Sequence, residues 1–383
     1  MSSITTRLCG LLLAVLLSLA ATHAALAHAQ LLSTSPLANA TVVSAPTQLE
    51  LVFNEPVSAL AVSFILPDGG TRDLLDQTTS GQTMVVQLPN GLTDGTHVLS
   101  WRAVSVDSHP VAGSLVFSIG EASGTAIAEL PTSSRATGLA LWATKSLLFV
   151  TLLFGAGGAI FALAAPIPRQ GRHLAMILSG LGFVIAPLSL GLQGLDALGL
   201  APDALATTQP WMAGSSTSYG NTVIAVSLAL ALGLMILLWP AARSTGWLVW
   251  ALAAVALALS GHAGAAEPQW LTRSAVSLHI AGILFWIGAL PQLWFWLRQR
   301  DAVADRALAQ FSRFIPFAVA PIIVSGVTLA IIQLGPPGPA WLAPYGLILG
   351  AKLALLALLF ALALVNRVKL TGPALAGHAT ARY

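Results

Sequence analysis

The chain has 383 residues, 56% of them hydrophobic and only 8% charged, with a formal net charge of +3. That balance excludes an ordinary soluble protein and puts most of the length in lipid. The basic residues are scattered, which argues against nucleic acid as a partner, and the single cysteine, Cys9, leaves the rest of the chain without disulfides or thiolate metal sites.

Residues 1–27 read as a secretory signal. Arg7 lies in a short basic region, residues 8–21 form an apolar run, and Ala25-Leu26-Ala27 makes a small-x-small processing site. The apolar run is shorter than the ~20 residues of a membrane span. A cut elsewhere, or retention of the segment as an anchor, is the alternative. Cleavage after Ala27 makes His28 the new N-terminus. A terminal histidine offers an amine and an imidazole nitrogen from one residue, a chelate suited to Cu(II). Asp107-Ser108-His109 adds a carboxylate and a second imidazole.

Residues 28–120 alternate apolar and polar side chains at period two. Candidate strands lie at 48–53, 61–66, 83–88, 97–104 and 114–119, and Pro67-Asp68-Gly69-Gly70 supplies a turn. This spacing predicts an all-β, immunoglobulin-like sandwich or Greek-key barrel of roughly seven strands. Residues 121–137 are small and polar and read as a linker.

From residue 138 to about 370 the pattern becomes that of a polytopic α-helical membrane bundle, followed by a tail at 371–383. About seven spans are expected, near 139–165, 174–197, 221–240, 246–263, 275–297, 314–334 and 345–365. Arg169, Arg172, Arg243, Arg298, Arg300, Arg306, Arg313, Arg367 and Lys369 fall in alternate loops or beside them, with Arg273 the exception. The positive-inside rule then puts the β domain outside, in the periplasm of a bacterial inner membrane. His262 is expected at the outer end of the fourth span. His279 is expected about one turn into the fifth, so that the two face each other at similar depth. Ionisable residues at such depth suggest a functional path, although a histidine can also bridge helices structurally. Lys352 lies seven residues into the last span, and Lys145 occupies a comparable place in the first. Both have a snorkelling role as the alternative.

Trp101-Arg102-Ala103-Val104-Ser105-Val106-Asp107-Ser108-His109-Pro110-Val111-Ala112-Gly113 resembles the W-R-x-x-S-x-D-x-H-P-x-x-G signature of the CopC family of periplasmic copper-binding proteins. His28-Ala29-Gln30-Leu31 with Ser35-Pro36, and Phe53-Asn54-Glu55-Pro56-Val57, match further family stretches. The resemblance implies Cu(II) bound by His28, Asp107 and His109. Glu55 matches an acidic position that supports the site through a hydrogen bond, with a solvated strand-end carboxylate as the alternative. Some CopC proteins also hold Cu(I) in a methionine-rich site. Here Met84 stands alone in the domain, so Cu(II) binding alone is expected. His97 sits where the family often has an aromatic, and a lone strand histidine is more often exposed or packed than a ligand.

In the membrane half, His279 with Trp286-Ile287-Gly288-Ala289-Leu290, then Phe311-Ser312-Arg313-Phe314, then Tyr345-Gly346, Lys352 and Asn366, resemble in order the motifs of CopD, the membrane partner of CopC. CopD-like proteins usually continue into another span after the asparagine, whereas this sequence ends at Tyr383. The combined resemblance implies a copper-handling membrane protein rather than an enzyme. It captures Cu(II) outside and passes copper, as Cu(I) or Cu(II), inward through His262, His279 and Lys352. Import is preferred over resistance by export, and other periplasmic copper carriers are expected partners. No G-x4-G-K-[ST] nucleotide motif occurs, so transport would be passive or gradient-driven. Two other readings stay open: a membrane haem protein with His262 and His279 as axial ligands, and a terminal-histidine copper monooxygenase.

Overall fold

A computed structural model describes residues 29–74, 77–123, 134–266, 268–299 and 302–366. The expected signal, His28, residues 124–133 of the expected linker and the tail at 371–383 lie outside the described residues.

Nine strands are described. They are β1 (Leu31–Ser35), β2 (Ala40–Val42), β3 (Gln48–Phe53), β4 (Val57–Ile65), β5 (Thr71–Asp73), β6 (Gln77–Ser80), β7 (Thr83–Gln87), β8 (Gly95–Ser105) and β9 (Pro110–Ile119). They form two sheets, ordered β1-β3-β7-β6 and β2-β9-β8-β4-β5. The ladders are antiparallel except for β2 beside β9. The period-two pattern explains the sandwich: Leu49, Leu51 and Phe53 on β3 meet Phe64, Leu99, Leu115 and Phe117 from the other sheet in one buried core. The strands missing from the sequence reading are β1 and three short ones, β2, β5 and β6, none long enough to display an alternation. His97 is wholly buried, stacked between Phe64 and Phe117, and bonds the Thr93 carbonyl through Nε2 at 2.9 Å. It is a core residue.

The helices are α1 (Arg135–Leu163), α2 (Arg169–Leu198), α3 (Gln209–Ser216), α4 (Ser218–Leu238), α5 (Gly246–Ala256), α6 (His262–Ala265), α7 (Gln269–Gln299), α8 (Ala302–Leu334) and α9 (Pro344–Asn366). The first begins three residues before the expected domain start because Ser134 caps it, its hydroxyl accepting from the Thr137 N–H. Among the described residues six helices are long and apolar enough to cross a membrane: α1, α2, α4, α7, α8 and α9.

The expected fourth span, 246–263, is the exception. Helix α5 stops after 11 residues, a length of about 16 Å. The chain then turns, with Gly261 at φ +87°, a backbone conformation that favours glycine. Hydropathy does not mark where α5 stops, since Leu257, Ala258 and Leu259 continue its apolar run. The bundle core gathers Leu152, Ile160, Val226, Leu230, Val249, Leu284 and their neighbours. Gly157 and Gly288 let α1 and α7 touch backbone to backbone, where a Cβ on Gly288 would overlap Gly157.

Candidate functional site

The signature from Trp101 to Gly113 is a hairpin corner. Trp101 pairs with Gly113 across β8 and β9, and its ring lies where a Cβ on Gly113 would sit, 2.5 Å away. The same ring meets Phe53 edge-on in the core. Glycine is therefore required opposite the tryptophan. Beyond β8 the chain reverses through residues 106–109. Ser108 adopts φ 71° and donates its N–H to the Ser105 carbonyl at 2.9 Å. The Ser105 hydroxyl donates to Asp107 Oδ1, and the His109 N–H approaches the same oxygen at 3.2 Å.

This corner orients two metal-capable side chains. His109 Nδ1 lies 3.2 Å from Asp107 Oδ1, with the imidazole 40% exposed and the carboxylate 1%. Two bonds of about 2.0–2.2 Å at a right angle put their donor atoms about 3 Å apart, so this pair suits neighbouring positions on one first-row divalent ion. Among the described residues no third His, Cys, Asp or Glu completes a cluster. The expected third ligand, His28, lies outside them. Its neighbours are held at the same end of the sandwich. Ala29 is buried in the β core. The Gln30 N–H donates to Asn54 Oδ1 at 2.7 Å, and the Asn54 N–H donates to the Gln30 carbonyl at 3.0 Å. Asn54 and Glu55 precede β4, whose first residue, Val57, pairs with Ser105. The chain leading to His28, the Glu55 corner and the Asp107 corner thus share one end of the domain.

That end is docked on the helical bundle. Gln193 Nε2 of α2 donates to the Ser108 carbonyl at 2.9 Å, and the Ser218 hydroxyl donates to the Val106 carbonyl at 2.7 Å. The Ser108 hydroxyl accepts the Tyr219 N–H at 3.0 Å and lies 2.5 Å from the Ser218 hydroxyl. Arg102 reaches the Ala197 carbonyl near the end of α2 at 3.3 Å. Burial against the bundle pulls the Arg102 guanidinium below its ordinary pKa, and the Asp196 carboxylate opposes that shift.

A cavity of about 160 Å³ lies under the docked corner. Asp107, Ser108 and His109 form its roof, while Lys145, Tyr219, Thr222 and Ser260 supply polar groups to its walls. Lys145 is held in place: Nζ donates to Gln193 Oε1 at 2.7 Å and lies 4.4 Å from the centre of the Tyr219 ring.

The expected membrane residues fall on three different helices, His262 on α6, His279 on α7 and Lys352 on α9. Ser260 and Gly261 line the cavity, and His262 follows them at the start of α6. His279 comes ten residues after the start of α7 at Gln269, about 15 Å along the helix. Its Nδ1 faces α8, 3.1 Å from the Ile322 carbonyl and 3.0 Å from the Ser325 hydroxyl. Lys352 is exposed on α9 and is not among the residues lining the cavity. The sequence reading missed Gln193, Ser218 and Tyr219. A glutamine inside an apolar span was the available signal.

Comparison with known proteins agrees with this two-part architecture. The family model described as CopC domain matches residues 31–120, and that of copper resistance protein D, CopD, matches residues 305–382. The copper transport protein CutJ of Bacillus subtilis is 27% identical over 334 residues, covering 79% of this chain. The chain spans 60% of the length of CutJ. Copper resistance protein C of Xanthomonas campestris pv. juglandis is 34% identical over 109 residues, 26% of this chain and 85% of that protein. The crystal structure of CopC from Methylosinus trichosporium OB3b is similar over 26% of this chain and all of its own, at 21% identity and a TM-score of 0.22. The chain belongs to the CopC/CopD family of copper resistance proteins, joining a CopC domain to a multi-pass, CopD-type membrane region.

Proposed function

We propose that this protein captures Cu(II) outside the bacterial inner membrane and delivers copper into the membrane region for import. The observation that carries the reading is that Asp107 and His109 roof a cavity opening into the helical bundle. In this reading the amine and ring of His28 join Asp107 and His109 around the ion. Glu55, at the same end of the domain, supports them. Capture and delivery then share one place, and the ion leaves the corner directly into the cavity. The cavity offers nitrogen and oxygen donors, with no methionine or cysteine among the described residues lining it, which favours Cu(II) over Cu(I) at this stage. His262, next to the cavity, and His279, deeper against α8, are the proposed continuation. Among the described residues, Lys352 lies exposed on α9 and outside the cavity lining. The relatives' names point both ways: CutJ is called a copper transport protein, and the Xanthomonas relative a copper resistance protein.

The test is deletion of the gene, with cellular copper measured at limiting supply. Import predicts lower accumulation, restored by the wild-type chain and not by His109→Ala. Unchanged or raised accumulation in the deletion strain counts against import.

A further inference from the structure

A second cavity, of about 590 Å³, lies at the other end of the bundle. That volume is within the ~300–1,000 Å³ of small-molecule sites. Its walls include Leu163, Ile167, Ile236 and Leu237, and two arginines line it, Arg172 and Arg243. None of the described residues lining it is acidic. Arg172 is fixed there, because Nε donates to the Leu237 carbonyl at 2.5 Å and Nη2 to the Leu238 carbonyl at 3.4 Å. Two of its five N–H donors are used by those bonds.

The depth of this cavity follows from α4. Ser218, at the start of that helix, touches the β domain, and Leu238, at its end, receives Arg172. Twenty residues of helix separate them, about 30 Å, which equals the hydrocarbon thickness of a bilayer. The exposed indoles of Trp239 and Trp247 flank the same level, where tryptophan is enriched at the membrane–water boundary. Arg298 lies at that end too, its guanidinium over Trp294 and the next residue, Gln299, reaching Gln170.

We propose that this cavity binds an anionic phospholipid of the inner leaflet. Its phosphate sits between Arg172 and Arg243, and its acyl end lies along the apolar wall. The chemistry is that of a phosphate monoanion carrying hydrocarbon: two cations attract the charge, and the apolar lining distinguishes a lipid from a free anion. This site is independent of the copper reading.

The test uses the full chain, purified and placed in nanodiscs of phosphatidylcholine alone or of phosphatidylcholine with phosphatidylglycerol. Bound lipid is counted by native mass spectrometry, and thermal stability is followed alongside. The wild-type chain is expected to retain phosphatidylglycerol over phosphatidylcholine by about fivefold or more. Arg243→Gln is expected to lose that preference, and Arg298→Gln, at the same membrane face outside the cavity, to keep it. Arg172→Gln also removes the bonds to the end of α4, so Arg243→Gln is the deciding variant. Equal retention of both lipids overturns the proposal. So does equal loss in the Arg243 and Arg298 variants. Inorganic phosphate in the phosphatidylcholine arm is expected to leave thermal stability unchanged. Stabilisation by phosphate equal to that by phosphatidylglycerol overturns a lipid occupant.

Discussion

The hydroxyl of Ser108 caps a helix in another domain. It accepts the Tyr219 N–H at 3.0 Å, in the first turn of α4. Helix N-termini leave N–H groups without intrahelical partners, and a serine oxygen is a common acceptor for them. The residue in the capping position, Thr217, gives its hydroxyl to the Gly214 carbonyl instead. The cap comes from the turn between Asp107 and His109, so the metal-capable corner is tied directly to the start of a membrane helix.

Ser108→Ala removes that cap. A lost N-cap typically costs about 1 kcal/mol. The full chain is expected to unfold at lower temperature, and hydrogen exchange is expected to quicken at the Tyr219 amide. Cu(II) affinity should change little, since the proposed ligating atoms belong to the neighbours of Ser108. Unaltered exchange at Tyr219 would contradict the cap.

Removing a proposed ligand acts on affinity instead. His28→Ala, one extra residue placed before His28, and His109→Ala are each expected to weaken Cu(II) binding by orders of magnitude. The inserted residue is the most informative of the three, because it retains every side chain and displaces only the amine from the ring. Calorimetric titration of the processed chain measures the effect. Undiminished affinity with the insertion would exclude a terminal chelate.

Acid should release the metal. An amine and an imidazole bind copper only when deprotonated, so protons compete with the ion as pH falls. Affinity is expected to be highest near pH 8 and to fall steadily toward about pH 5, across the range where imidazoles ordinarily protonate. A titration series with constant affinity over that interval would remove the histidines from the site.

Lys145 places a positive charge in the cavity roofed by Asp107 and His109. Lys145→Gln preserves a donor for Gln193 and removes the charge. Like charges repel, and Coulomb energies near a protein surface reach a few kcal/mol at contact distance. Cu(II) affinity at the corner is therefore expected to rise by about three- to tenfold, with salt narrowing the gap between the variants. An affinity equal to wild type at low salt would show that the ammonium does not act on the bound ion.

Much of this was legible in the sequence. Strand β3 covers the residues that the alternation at 48–53 marked, because one face of it is core and the other is not. Trp101, Asp107, His109 and Gly113 stand out as a spaced motif, and the structure gives that spacing a reason in the β8–β9 corner. The docking was not legible. It depends on backbone carbonyls of Val106 and Ser108 meeting Gln193 and Ser218, residues 85 to 112 positions away, and no periodicity encodes such a meeting. Helix α7 begins at Gln269, six residues before the apolar run that marked the span, because a helix can extend past the stretch that hydropathy detects. The truncation of α5 escaped for the opposite reason: its continuation is apolar but folds back as a turn.

That truncation has a consequence for how the interior is sealed. Helix α5 fills about half the depth of a bilayer on its flank. Above it, residues 257–261 and a corner of the sandwich close what a full-length helix would otherwise close. Part of the cover over this apolar bundle is thus supplied by the β sandwich. Its hold there rests on the bonds that join Val106 and Ser108 to Gln193, Ser218 and Tyr219, so a few polar contacts, rather than helix packing, close that flank.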